Sequence, residues 1–78
     1  MIKTWYANGE LNVEGKYKNN YKEGEWVWYT KEGTVEMKGS FKESKQHDTW
    51  TYYFDNGQVE SIGEFAMDQR EGEWKMFY

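Results

Sequence analysis

From Gly24 to Gly39 the chain reads GEWVWYTKEGTVEMKG, and what lies on either side repeats it. A shift of 24 residues carries Trp26 onto Trp50 and Trp74, Tyr29 onto Tyr53 and Phe77, and Phe41 onto Tyr17 and Phe65. The same shift carries Gly33 onto Gly9 and Gly57, and Gly39 onto Gly15 and Gly63, with no insertion anywhere. A fixed period of this size marks a repeat array, in which each unit is one supersecondary element that buries its apolar side against its neighbours. Within the unit apolar and polar residues alternate with period two, which is the strand signature, and a residue pair ending in glycine interrupts them. The unit is therefore a β-hairpin.

The 78 residues allow one domain, and a chain of this length buries only a little over about 60% of the surface it exposes when unfolded. A deep core is unavailable, so bulky side chains on a thin sheet must supply the stability. The aromatic content of 21% suits that task, since one packed aromatic ring buries roughly 150 to 250 Å². With neither cysteine nor proline, no disulfide or cysteine-held metal staples the fold. A net charge of −4, with lysines interspersed among glutamates, argues against nucleic acid and against an anionic membrane as partners. The opening residues MIKTWYANGEL lack the apolar run of a signal peptide, and nothing approaches the roughly 20 apolar residues of a membrane helix, so the expected address is cytoplasmic.

Read in order, the chain predicts an all-β fold: an antiparallel meander of about seven strands in a single twisted sheet, near residues 2–7, 10–18, 25–30, 34–42, 49–54, 58–66 and 73–78. The single domain spans 1–78, with units of approximately 1–24, 25–48 and 49–72 and a closing strand over 73–78. Asn8-Gly9, Glu32-Gly33 and Asn56-Gly57 are read as tight turns of type I′, with Glu32 suiting that turn less well and suggesting a different middle loop. That placement sets a register with Trp26 opposite Gly39, Trp28 opposite Met37 and Thr30 opposite Val35; in the other units Trp50 opposes Gly63, Tyr52 opposes Ser61, Phe54 opposes Val59, Ile2 opposes Gly15, Thr4 opposes Val13 and Tyr6 opposes Leu11. The other connections, Lys18 to Gly24, Lys42 to Asp48 and Ala66 to Gly72, read as looser polar loops.

The repeated glycine has a physical reason, because a side chain as large as tryptophan needs an empty site across the ladder, at the glycine that faces it, and an aromatic lying there restores the packing the glycine lacks. Trp26, Trp28, Trp50 and Trp74 with Gly15, Gly39 and Gly63 thus form the expected structural core of the repeat. By alternation a second aromatic row, Trp5, Tyr29, Tyr53 and Phe77, lies on the opposite face, again at intervals of 24. It covers the back of the sheet against Val27, Ile62 and lysine stems, or it is a strip that buries on a partner. Strands at both termini add edges open to pairing with another chain, Trp74 to Tyr78 with its own copy included.

The pattern G-E-W-x-x-Y-x-x-x-G followed by G-x-[YF], seen as GEWVWYTKEG with GSF and echoed in DTWTYYFDNG with GEF, resembles the MORN repeat. More specifically it is similar to the variant form found in bacterial proteins often grouped as antitoxin components of toxin–antitoxin systems. The resemblance covers nearly the whole chain and implies β-hairpin arrays that serve as interaction or oligomerisation surfaces, with membrane-lipid contact proposed for some members. An antitoxin role would imply a toxin partner. The chain departs from the pattern at Asp48, where the other units carry Gly24 and Gly72, and in the loop ESKQH, which suggests local remodelling of the middle connection.

Chemistry is sparse. The single histidine, His47, falls in a polar stretch beside Asp48 and has no second ligand or nucleophile at usable spacing, so it reads as an exposed loop residue. Glu36 and Glu60 form a pair of like carboxylates, but a thin exposed face does not desolvate one of them as acid catalysis requires. No cofactor and no metal are expected. The reading is a non-catalytic protein-interaction module with Trp5, Tyr29, Tyr53 and Phe77 as candidate partner-binding residues, antitoxin-like by resemblance. A structural homo-oligomerisation module and a carbohydrate or lipid-headgroup binder using its aromatic face stand as the alternatives.

Overall fold

The computed structural model describes residues 1–77; the sequence expectations that fall on Tyr78 lie outside the described residues. Period-two alternation becomes seven strands: β1 (Ile2–Trp5), β2 (Leu11–Lys18), β3 (Tyr21–Tyr29), β4 (Val35–Lys42), β5 (Lys45–Tyr53), β6 (Val59–Ala66) and β7 (Gln69–Met76). They pair antiparallel in chain order within one open sheet. The extents of 39 × 38 × 12 Å are those of a single layer.

The two kinds of connection exchange roles relative to the sequence reading. Where loose loops were expected, the chain turns in two residues: Asn19-Asn20, Glu43-Ser44 and Met67-Asp68 each hold φ between 50° and 73° at both positions. That is the signature of the type I′ turn, whose twist matches the strands it joins. β3, β5 and β7 therefore begin at Tyr21, Lys45 and Gln69, earlier than expected. At Asn8-Gly9, Glu32-Gly33 and Asn56-Gly57 only the glycine has positive φ, and each loop is a longer turn closed by the glycine amide on the carbonyl of Tyr6, Thr30 or Phe54. Because its first residue keeps negative φ, Glu32 is accommodated in the same loop as its counterparts, and no different middle loop is needed.

The register is as expected from Trp26 opposite Gly39 and Trp28 opposite Met37, and likewise for Trp50 with Gly63, Tyr52 with Ser61, Ile2 with Gly15 and Thr4 with Val13. Nearer each turn a bulge shifts it, so that Val35 opposes Tyr29, Val59 opposes Tyr53 and Leu11 opposes Trp5 instead of the residues expected. Asn12, Glu36 and Glu60 are the residues passed over, and the extra residue is how the longer turn is reconciled with the ladder.

A second irregularity separates the units. Between Glu14 and Lys16, Lys38 and Ser40, and Ile62 and Glu64 the ladder to the following strand shifts, with Gly24, Asp48 and Gly72 at φ of 74°, 64° and 72°. Asp48 thus adopts the backbone of the glycines it replaces, as aspartate does more readily than most residues, and the middle connection is not remodelled. His47 belongs to β5, where it pairs with Ser40 and is half-buried, so it is a strand residue and not an exposed loop histidine.

Candidate functional site

Three of the five indoles lie over a glycine, and Trp26 and Trp50 do so not over the facing glycines expected, Gly39 and Gly63, but over a glycine on the strand to their other side. Trp26 from β3 covers Gly15 on β2, Trp50 from β5 covers Gly39 on β4, and Trp74 from β7 covers Gly63 on β6. A methyl group at any of these glycines would stand about 2 Å from the ring, so nothing larger than hydrogen fits. The ring nitrogen then donates to the strand it covers, from Trp26 to the Lys16 carbonyl at 3.2 Å and from Trp50 to the Ser40 carbonyl at 3.1 Å. The Trp74 nitrogen is buried without an acceptor among the described residues. Since the covered glycine belongs to the preceding hairpin, each tryptophan fastens two units together.

Around these indoles the aromatic rings run across one face without a break. Tyr17, Phe41 and Phe65 meet the next unit's Trp26, Trp50 and Trp74 edge-on with centroids 5.2 to 5.3 Å apart, while Trp28 tilts against Trp50 at 5.5 Å. Lateral packing alone leaves Trp50 only 1% exposed and Trp26 3%. Trp28 and Trp74 are half-buried. Two cations that the sequence reading passed over close this face: Lys22 lies over Trp26 and Phe41 at 5.3 and 5.0 Å, and Arg70 over Trp74 at 4.5 Å. Both stand in one repeat column, with Gln46 between them, a signal the 24-residue alignment contains. Beside Arg70 a hollow of about 310 Å³ is lined by Tyr52, Glu60, Ser61, Trp74 and Met76. It opens where Ser61 takes the place that Met37 and Val13 hold in the other units.

The structure divides the candidate partner-binding row. Trp5 is 60% exposed and Phe77 46%, at opposite ends of the sheet, whereas Tyr29 and Tyr53 are half-buried. The Tyr29 hydroxyl donates to Glu14 Oε1 at 2.6 Å, and the Tyr6 hydroxyl donates to the Tyr29 carbonyl at 2.7 Å, so Tyr29 is tied into the sheet. The hydrogen bond to Glu14, with desolvation and the charges of Glu14 and Glu25, pushes the Tyr29 hydroxyl up to about 12. Tyr53 makes no such bond among the described residues, because Lys38 stands where Glu14 does.

Among the described residues no group of three or more His, Cys, Asp or Glu side chains is placed to hold a metal. His47 Nε2 lies 3.6 Å from Asp48 Oδ1, and its Nδ1 is buried without a partner among the described residues. Glu36 and Glu60 are both exposed. No described helix is long and apolar enough to cross a membrane.

A one-layer sheet of stacked hairpins, stitched by tryptophan on glycine and carrying aromatic side chains on both faces, defines a β-hairpin repeat protein of the kind that offers surfaces rather than clefts. The MORN repeat variant matches at residues 2–19, 22–43 and 49–66, and the chain belongs to that family. MORN repeats are in general protein- or membrane-binding modules. Comparison with curated proteins and with solved structures gives no match.

Proposed function

We propose that this chain is a non-catalytic protein-binding module, and that the finer role its repeat type suggests, neutralisation of a toxin as an antitoxin-like partner, is the one to test first. The observation that carries the reading is the 12 Å thickness of the sheet. Aromatic rows lie on both sides of one layer, so among the described residues no second layer covers Trp5, Phe77 or the half-buried Tyr53. Exposed tryptophan and tyrosine lead the residues that anchor protein interfaces, because they bury much area with little side-chain entropy to lose.

The test is capture from a lysate of the source organism by wild-type chain and by a Trp5→Ala, Tyr53→Ala, Phe77→Ala variant whose melt shows it folded. Loss of one specific protein by the variant supports the binding site. Expression of that protein alone and with this chain then addresses the antitoxin reading: growth arrest relieved by co-expression supports it, and a captured protein that arrests nothing removes it. Retention of the partner by the variant removes the row.

A second reading is favoured by the hollow beside Trp74. Two rings, the Ser61 hydroxyl, Arg70 and Glu60 together are the mixture with which sugars and other ring compounds are held, by stacking plus a few polar contacts. Calorimetry against a saccharide panel, with Trp74→Ala as control, tests it.

A further inference from the structure

The two ends of this sheet are complementary to each other. β7 repeats β1 after a shift of 72 residues, with Trp74 standing for Ile2, Lys75 for Lys3, Met76 for Thr4 and Phe77 for Trp5. β1 is the shortest strand, with four residues that are all exposed, and it leaves Lys16, Tyr17 and Lys18 of β2 without a cross-strand partner on that side. β7 has eight residues, and within the described chain it pairs only with β6.

We propose that the outer edge of β7 docks on β2 of a second copy, taking the place of β1 and continuing the array head to tail. The register follows from the β1–β2 ladder already present: Met76 opposite Val13, Lys75 opposite Glu14 and Trp74 opposite Gly15. Extended along the longer strand, it sets Glu73 opposite Lys16 and Gly72 opposite Tyr17. Both charged pairs are of opposite sign, and such pairs are favourable across a ladder while like charges are not. The aromatic pattern is also completed. Inside the sheet each aromatic of an even strand meets the tryptophan of its own hairpin, as Phe41 meets Trp26 at 6.1 Å and Phe65 meets Trp50 at 5.9 Å. Tyr17 has Ile2 in that position and is 49% exposed, and among the described residues Trp74 meets aromatics only at Tyr52 and Phe65, on its inner side. Joining copies brings those two rings together.

Docking displaces β1 and the turn after it, giving up the hydrogen bonds from Tyr6 to the Tyr29 carbonyl and from Asn8 to the Lys31 carbonyl. The contact therefore competes with an intramolecular strand and is driven by concentration. It is heterologous, so each added copy presents a fresh β7 or β2 and growth stops only if a ring closes.

The chain has no cysteine, so thiols are placed at will. Lys16→Cys and Glu73→Cys variants, both at exposed positions, are mixed at millimolar concentration under mild oxidation beside light scattering of wild type across a dilution series. The expected result is a mixed disulfide exceeding either homodimer by about tenfold, the advantage of thiols held at high effective concentration, and a wild-type mass that climbs with concentration past that of a dimer. A statistical mixture of disulfides, a Glu73→Cys homodimer in excess (symmetric pairing of β7 with itself), or a strictly monomeric wild type overturns the proposal. A Glu73→Cys thiol that links to a lysate protein and not to Lys16→Cys overturns it in favour of another occupant. The disulfide readout leaves Trp5, Tyr53 and Phe77 unaltered and the capture leaves Lys16 and Glu73 unaltered, so the two readings are tested on different variants and fail separately.

Discussion

Three residues carry the sharpest consequences. Trp50, almost wholly buried in a sheet with no second layer, has rings on three sides and a glycine beneath it. Trp50→Ala is expected to lower unfolding free energy by about 3 to 5 kcal/mol in denaturant melts, the range for deleting a large buried aromatic. Asp48 occupies left-handed backbone that glycine enters freely, and its contact with His47 is exposed and worth little. Asp48→Gly should therefore stabilise by roughly 0.5 to 1 kcal/mol in the same assay, and a loss would show that the contact outweighs the backbone. Tyr29 holds its proton up to about 12 in the folded state against 10.0 for the free side chain. The unfolded chain ionises first, so the stability this residue contributes is complete below pH 10 and drains away as pH rises toward 12. Melts at stepped alkaline pH should show part of that decline missing in Tyr29→Phe.

At the scale of the element, the turns divide into what side chains announce and what they do not. The period, the seven strands and the tryptophan–glycine register were legible because each is written in apolar alternation and in a residue type with one physical use. The type I′ turns were not, since Asn19-Asn20, Glu43-Ser44 and Met67-Asp68 share no glycine, and the strand starts Tyr21–Glu23, Lys45–His47 and Gln69–Glu71 are polar enough to read as loop. What holds the second and third of them is contact with the strand that follows the turn before, β3 and β5. The Ser44 amide donates to the Lys22 carbonyl and the Lys22 amide to Ser44 Oγ, while the Asp68 amide donates to the Gln46 carbonyl and the Gln46 amide to Asp68 Oδ1. A turn fastened from outside tolerates a poor residue such as Met67 at positive φ. Met67→Asn should raise stability by about half a kcal/mol, because asparagine enters that region more readily; an unchanged midpoint would mean the fastening already absorbs the strain. That Tyr29 is tied into the sheet and Tyr53 is not was equally illegible, since it turns on Glu14 facing Tyr29 where Lys38 stands in the next unit.

For the whole molecule, stability is a sum over neighbours, because each hairpin touches only the next. The central indole has partners on both sides and the last one mainly on one, so Trp74→Ala is expected to cost about 1 to 2 kcal/mol, well below Trp50→Ala. Hydrogen exchange should rank the strands the same way, with β3 to β5 amides slowest and β1 amides fastest, since local opening follows the number of packed neighbours. A flat protection profile would instead mark one cooperative block.

Because Trp26, Trp50 and Trp74 each seat on a glycine contributed by the hairpin before, the packing of the sheet sets no preferred length. Excising any 24 consecutive residues of the interior and rejoining the ends would leave each remaining indole with a seat, and inserting 24 would do the same. Repeat number can therefore change by 24 residues without unseating an indole, and the length of the array is not fixed by its own packing.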